Sequence, residues 1–336
     1  MELSTNYMGL TLSNPLVASP SPLSYTLDGV RRLADGGAGA IVLFSLFEEQ
    51  LREEAARAIR LVETTAESFP EALSYFPSVA EEDGGPGAYV NLIERACAAV
   101  EVPVIASLNG VTLEGWTDYA CAMEDAGAAA VELNIYNVAG DPGLSGREVE
   151  QRHLDILERV KSAVTVPVAV KLSPYFSSPG EMALRLDDAG ADALVLFNRF
   201  LQPDIDPELL EVLPRVNLSS PADARVAQTW IALLRGSVRA SLAATSGVEV
   251  AADVVRYLLA GADVVMTTSA LLRHGPRYAA ELLDGVSAWM ARKGFTKLDD
   301  VRGLLAVPDA ADRAGYERAG YVTAMRAANA GAYNPW

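Results

Sequence analysis

The sequence predicts an α/β chain closed into one (β/α)8 barrel, and three observations carry that prediction. A unit made of a helix end, a glycine and a short apolar strand occurs four times, over residues 33–43, 123–133, 186–196 and 258–266. A second unit, a turn followed by a strand and a polar stop, alternates with it at residues 14–20, 102–107, 166–173 and 239–245. The strands in both units are apolar without alternation, as strands covered on both faces are. Four copies of each make eight parallel β-α steps in 336 residues, which is the arithmetic of a closed barrel. An open doubly wound sheet is the alternative, and it rarely needs eight similar strands.

In chain order, residues 7–12 with Ser13-Asn14-Pro15 read as a small strand or hairpin that caps the barrel bottom. The eight strands follow at residues 15–18, 39–44, 103–107, 130–135, 167–172, 192–197, 240–244 and 263–267. The glycines of the first unit suit the left-handed position that ends a helix. Two connections exceed a simple loop. Residues 46–90, after the second strand, hold a charged helical piece and then a stretch rich in Pro, Gly and aromatics. Residues 199–226, after the sixth, include a short extended piece at Val216-Asn217-Leu218-Ser219. Long insertions at the upper face of a barrel serve as lids or interface elements. Residues 294–336 read as one or two helices packed outside, so the expected organisation is one domain over 1–336 with the barrel at about 14–290.

Composition narrows the chemistry. A net charge of −17 argues against nucleic-acid binding and against an anionic membrane surface. Cys97 and Cys121 form no metal or iron–sulfur spacing, and His153 and His274 are too far apart in sequence to suggest a metal site. No signal-like start or membrane-length apolar run is present, so a cytoplasmic location is expected.

A barrel gathers the residues that follow its strands around one pocket. Here they are Ser19, Ser45, Ser107 and Asn109, Asn134 to Asn137, Lys171, Asn198 and Arg199, Thr245 to Val248, and Thr267 to Ser269. Amides, hydroxyls and one lysine suit hydrogen bonding to a polar planar ring better than hydrolysis or metal chemistry. Lys171 is the sharpest signal, because a strand buried on both faces admits a lysine only at its C-terminal end. The plain alternative is a lysine that reaches solvent or closes a structural ion pair. Ser246, Gly247 and Val248, with Thr267 and Thr268, stand where many barrels hold a phosphate, with a helix expected from about residue 251. A tight turn with a Ser/Thr cap is the alternative there.

Several of these stretches, taken in order, resemble the FMN-dependent dihydroorotate dehydrogenases. They are Gly9-Leu10-Thr11-Leu12-Ser13-Asn14-Pro15, Glu132-Leu133-Asn134-Ile135, Val170-Lys171-Leu172-Ser173-Pro174, Asn198, Thr245-Ser246-Gly247-Val248 and His274-Gly275-Pro276. The resemblance covers about residues 6–280 and is greatest to the subgroup usually labelled dihydroorotate dehydrogenase-like. It implies an FMN-binding TIM barrel with Lys171 at the N1/C2-carbonyl edge of the flavin, where a cation stabilises the reduced ring. It further implies Ala18 and Ser19 against the ring and Asn109 and Asn134 bonded to flavin or substrate. Asn198 would face the substrate, and the turns at Ser246-Gly247-Val248 and Thr267-Thr268 would hold the FMN phosphate. A homodimer is also implied.

Three parts depart from the family pattern. The loop after the fourth strand reads Asn134-Ile135-Tyr136-Asn137-Val138-Ala139-Gly140, without the family's Cys or Ser base. Leu43-Phe44-Ser45-Leu46 replaces the family's lysine after the second strand, and Leu73-Ser74-Tyr75-Phe76-Pro77 replaces its Asn-x-x-Gly-Leu stretch. Tyr136 is the replacement acid or base, or else an aromatic wall. Arg199 can clamp a substrate carboxylate, or else pair with Asp204 or Asp206. Asn134, Asn137, Asn198 and Arg199 are the expected substrate contacts, and Tyr136 and Lys171 the expected catalytic pair.

The expected activity is therefore an FMN oxidoreductase on a CH–CH bond next to a carbonyl, converting dihydroorotate to orotate or oxidising a related cyclic amide in pyrimidine biosynthesis. Electrons would leave to a small acceptor or a separate electron-transfer protein. Two rivals stand beside it. One is an aldolase or isomerase forming a Schiff base at Lys171 on a phosphorylated substrate. The other is a barrel that binds flavin without turnover.

Overall fold

A computed structural model describes residues 1–48, 86–110, 113–136, 140–200, 203–213, 217–308 and 313–329. The chain begins with an antiparallel hairpin, β1 (Thr5–Tyr7) and β2 (Leu10–Leu12), turned through Met8 and Gly9 at φ of 53° and 78°. Six strands follow: β3 (Leu16–Ala18), β4 (Ala40–Phe47), β5 (Val104–Asn109), β6 (Ala130–Asn134), β7 (Val168–Lys171) and β8 (Ala193–Leu196). A second hairpin, β9 (Asp204–Asp206) with β10 (Glu211–Leu213), precedes β11 (Ser241–Ala244) and β12 (Val264–Thr267). Strands β3 to β8, β11 and β12 pair in parallel and close into an eight-stranded barrel. The expected fold is confirmed.

The helices are α1 (Leu27–Asp35), α2 (Pro86–Ala99), α3 (Leu113–Asp125), α4 (Gly146–Ala163), α5 (Pro179–Asp188), α6 (Ala224–Leu234), α7 (Ala251–Ala260), α8 (Ser269–His274), α9 (Tyr278–Lys293) and α10 (Arg313–Asn329). The repeated glycine of the sequence unit does one job in all four copies. Gly37, Gly127, Gly190 and Gly261 have φ of 103°, 91°, 94° and 121°, a backbone state that ends a helix and that L-residues adopt at a cost.

The two-residue period of the strands divides the core in two. Leu16, Ile41, Leu43, Val131, Leu133, Val168, Val170 and Leu194 face the helices. Val17, Ala40, Val42, Ile105, Ala130, Ala169, Ala193, Val195, Ala243, Val264 and Met266 face inward, and most of them are small. The space they leave is filled from below by Tyr7, Met8 and Leu12 of the first hairpin, which plugs the barrel bottom as expected.

Two expectations need correction. The second and third strands run further than the sequence indicates, to Phe47 and Asn109, so Ser45 and Asn109 belong to strands rather than to the loops after them, as Ser107 does. A register irregularity between Val42 and Ser45 sets the inward direction of the upper part of β4. In the insertion after the sixth strand, the paired segments are β9 and β10, and Asn217 to Ser219 carry no regular structure. Of the tail, residues 297–301 pack beside Glu2 and bury Leu298 and Val301, whereas residues 318–327 of α10 are exposed along their whole length.

Candidate functional site

The C-terminal ends of the barrel strands open into a cavity of about 250 Å³. It adjoins a second of about 400 Å³, with which it shares Phe197, Asn198, Arg199, Phe200, Thr245 and Ser246. Together they offer room for a small ligand. Ser19, Lys171, Asn198, Arg199, Ser246, Val248, Thr267 and Thr268 line the first, so eight residues singled out in the sequence meet there. The second adds Pro174, Tyr175, Ala222 and Val226.

Asn198 on the cavity wall heads a chain of polar groups that closure of the barrel brings together. Asn198 donates from Nδ2 to Asn134 Oδ1 at 2.6 Å, and Asn134 donates to Ser45 Oγ at 2.9 Å. Ser45 Oγ lies 2.8 Å from Ser107 Oγ. The Tyr89 hydroxyl, reaching in from α2, donates to Phe44 O at 2.9 Å and accepts from Ser107 N at 3.0 Å, which ties β4 to β5. Burial pushes the Tyr89 phenol well above the ordinary range, so it remains a neutral donor.

Lys171 ends β7, as its place in the sequence requires, and is 7% exposed. Its Nζ lies 3.5 Å from Oε1 of Glu132, a residue of β6 with no exposed surface. Neither carboxylate oxygen of Glu132 has a hydrogen-bond partner among the described residues. Below it lies the Tyr7 hydroxyl, also buried without a partner among the described residues; burial first, and then the charge of Glu132, raise its pKa far above the usual phenol value. Glu132 was not among the candidates read from the sequence, although its signal matched that of Lys171: a charge inside an apolar strand, two residues before Asn134 and hence on the same face.

At the other end of the cavity, Ser246 and Gly247 take φ of 78° and 70°. A Cβ on Gly247 would meet Ala224 N at 2.6 Å, Ala224 Cβ at 2.7 Å and Ser220 O at 2.8 Å, so the turn is pressed onto the start of α6. The Tyr257 hydroxyl donates to Ser246 O at 2.7 Å and lies 3.1 Å from Thr245 O. The backbone N–H groups of Ser246, Gly247 and Val248 donate to no acceptor among the described residues, which leaves them for an anion. At the N-terminus of α7, Asp253 Oδ2 accepts from Glu249 N at 3.0 Å and Val250 N at 2.9 Å, so a carboxylate already stands at the helix start expected to help hold phosphate. Thr268 donates from Oγ1 to Ser19 O at 2.9 Å, and Ser269 Oγ is taken by Ser219 at 2.9 Å.

The remaining candidates sit further out. The side chain of Ala18 belongs to the helix-facing core, so only its backbone is available to the cavity. Asn109 is buried at the end of β5 and does not line the cavity. Tyr136 is 36% exposed and packs on Phe200, with ring centroids 4.7 Å apart; Tyr175 flanks Phe200 at 5.7 Å. These three rings form a rim that the sequence did not reveal, because they come from three separate loops. Arg199 is exposed and donates to Asn217 O at 2.8 Å rather than to Asp204 or Asp206. Asn137 and residues 73–77 lie outside the described residues.

Known proteins resemble this chain over most of its length. A catalytic subunit of dihydroorotate dehydrogenase B (NAD(+)) from Methanothermobacter thermautotrophicus is 28% identical over 90% of this chain and 98% of its own. The corresponding subunit from Methanocella arvoryzae is 30% identical over 90% and 98%. A putative dihydroorotate dehydrogenase A (fumarate) from Aeropyrum pernix is 28% identical over 90% and 97%. The family model described as dihydroorotate dehydrogenase matches residues 2–290, from the hairpin that plugs the barrel through Lys171 and the turn at Ser246 to α9, and the chain belongs to that family.

Proposed function

We propose that this protein is an FMN-dependent dehydrogenase that oxidises a CH–CH bond next to a carbonyl, with dihydroorotate or a related cyclic amide as substrate. The observation that carries the reading is one cavity lined both by the buried Lys171 and by the turn at Ser246, whose backbone N–H groups have no acceptor among the described residues. A cation and a cluster of N–H donors in the same pocket fit a phosphorylated cofactor with a polar ring. Bound FMN would supply the two-electron acceptor for a hydride.

The N–H groups of Ser246, Gly247 and Val248, with the hydroxyls of Thr267 and Thr268, would hold the phosphate. Ser19 and the backbone of Ala18 would border the ring, and Lys171 would face its carbonyl edge and stabilise the negative charge gained on reduction. Asn134 and Asn198 present amides toward the substrate side, with Asn109 behind them. Arg199, on the cavity wall and exposed, would bind a substrate carboxylate, a role in which Asn137 could join. The reaction removes a hydride from one carbon and a proton from its neighbour, leaving a C=C bond. Tyr136, on the rim, would take the proton.

The description of two relatives as catalytic subunits of an NAD(+) enzyme supports a separate electron-transfer partner for this chain, beside a small acceptor. No helix among the described residues is long and apolar enough to cross a membrane. We further propose a cytoplasmic homodimer. The ion pair with Glu132 weighs against the Schiff-base rival, which requires Lys171 as a free amine.

The test is the visible spectrum of the purified protein, followed by dihydroorotate without oxygen. A yellow protein that bleaches supports the reading. A yellow protein that no dihydropyrimidine bleaches points to flavin binding without turnover. An absence of colour after added FMN refutes the cofactor. Unchanged flavin reduction in Tyr136→Phe would remove the proton role, and unchanged substrate affinity in Arg199→Ala would remove the clamp.

A further inference from the structure

The site contains a charge that the reaction above does not use. Glu132 is fully buried at the centre of the barrel, where the neighbouring inward positions Ala130, Ala169 and Ala193 are small. An alanine or valine would continue that layer. A carboxylate there loses its water and gains no hydrogen bond among the described residues, where Lys171 Nζ at 3.5 Å is the cation that faces it. Burial of a charge on those terms is unfavourable unless its partner requires it. The register fixes the pair: Glu132 lies opposite Ala169 and Asn134 opposite Lys171, so the ammonium stands one inward position above the carboxylate. The geometry sets Lys171 between the carboxylate below and the cavity above.

We propose that Glu132 is a positioning residue that anchors Lys171 at the carbonyl edge of the cofactor ring and offsets part of its positive field, thereby setting the reduction potential of the bound flavin. This rests on the flavin reading given above. The sign follows from charge. Hydride transfer brings two electrons and one proton to the cofactor, a net gain of one negative charge. Lys171 favours that charge and Glu132 opposes it, both directly and by neutralising the ammonium. Loss of the Glu132 charge therefore raises the potential. The Tyr7 phenol beneath cannot replace the carboxylate, because it is neutral.

The experiment is a dye-equilibrated reductive titration of the FMN-loaded protein, wild type against Glu132→Gln, with FMN affinity measured in parallel. Glu132→Gln is expected to shift the oxidised-to-reduced equilibrium at least about tenfold toward reduced flavin, about 30 mV upward for a two-electron couple, with FMN affinity within about threefold. Glu132→Asp keeps the charge but withdraws it by one methylene, and its potential is expected between the two; it carries the same test if the Gln variant does not fold. A purely structural glutamate predicts no shift in either variant, because Gln preserves shape. FMN uptake with an unmoved or lowered potential overturns the assignment alone. A wild-type protein that takes up no FMN overturns the flavin reading and the assignment together.

Discussion

Gly247→Ala tests whether the anion-facing turn is built by packing. Two costs add. The residue sits at φ 70°, a conformation that costs an L-residue about 1–2 kcal/mol. The new methyl would also lie 2.6 Å from Ala224 N and 2.7 Å from Ala224 Cβ, so the start of α6 must move, at about 1–3 kcal/mol for overpacking. The sum is about 2–5 kcal/mol of lost stability. Because the displaced backbone carries the free N–H groups, FMN affinity should fall more than about tenfold as well, a loss of about 1.4 kcal/mol in binding. Gly146→Ala is the internal control: it opens α4, meets nothing within 4 Å, and should be neutral or stabilise by about 0.5 kcal/mol. Urea unfolding and FMN titration of both variants read the two effects. A Gly247→Ala protein within about 0.5 kcal/mol of wild type, with unchanged FMN affinity, would show that the turn is not clamped.

Other outcomes follow from the same contacts. Tyr257→Phe leaves Ser246 O and Thr245 O without their buried donor and should cost about 1–3 kcal/mol in unfolding experiments, with weaker FMN binding, whereas a neutral result would remove Tyr257 from the turn. Asn198→Ala breaks the chain from Asn198 through Asn134 to Ser45, so substrate KM should rise about tenfold or more with the flavin spectrum retained. His153 is buried against Phe176 with Nδ1 2.8 Å from Val149 O, and burial holds its pKa below 6.5. The unfolded chain then binds the extra proton first, so stability present above about pH 6.5 is lost as the pH falls below it, by up to about 1.4 kcal/mol per unit. Unfolding midpoints at pH 7.5 and 5.5 should show this slope in wild type and a reduced slope in His153→Leu.

Local pattern alone was enough to locate the eight strands to within a few residues, the helix-ending glycines, the plug at residues 7–12 and the place of Lys171. Each depends on near neighbours: continuous apolar runs, a glycine after a helix, a charge that ends a buried strand. The upper part of β4 was not legible in the same way. Phe44-Ser45-Leu46-Phe47 reads equally as strand or loop, and the irregularity after Val42 that turns Ser45 toward Asn134 depends on pairing with β5. The aromatic rim of Tyr136, Tyr175 and Phe200 depends likewise on three loops meeting above the barrel.

Glu132 marks the boundary most clearly. The sequence determines that a carboxylate stands in an apolar strand on the same face as Asn134, and that a lysine ends the next strand. Only the register of β6 on β7 decides that the two face each other at 3.5 Å, and closure of the barrel leaves the glutamate without water-exposed surface. Strand order, shear and register are cooperative properties of all eight strands, and they convert two separate charges into one buried pair.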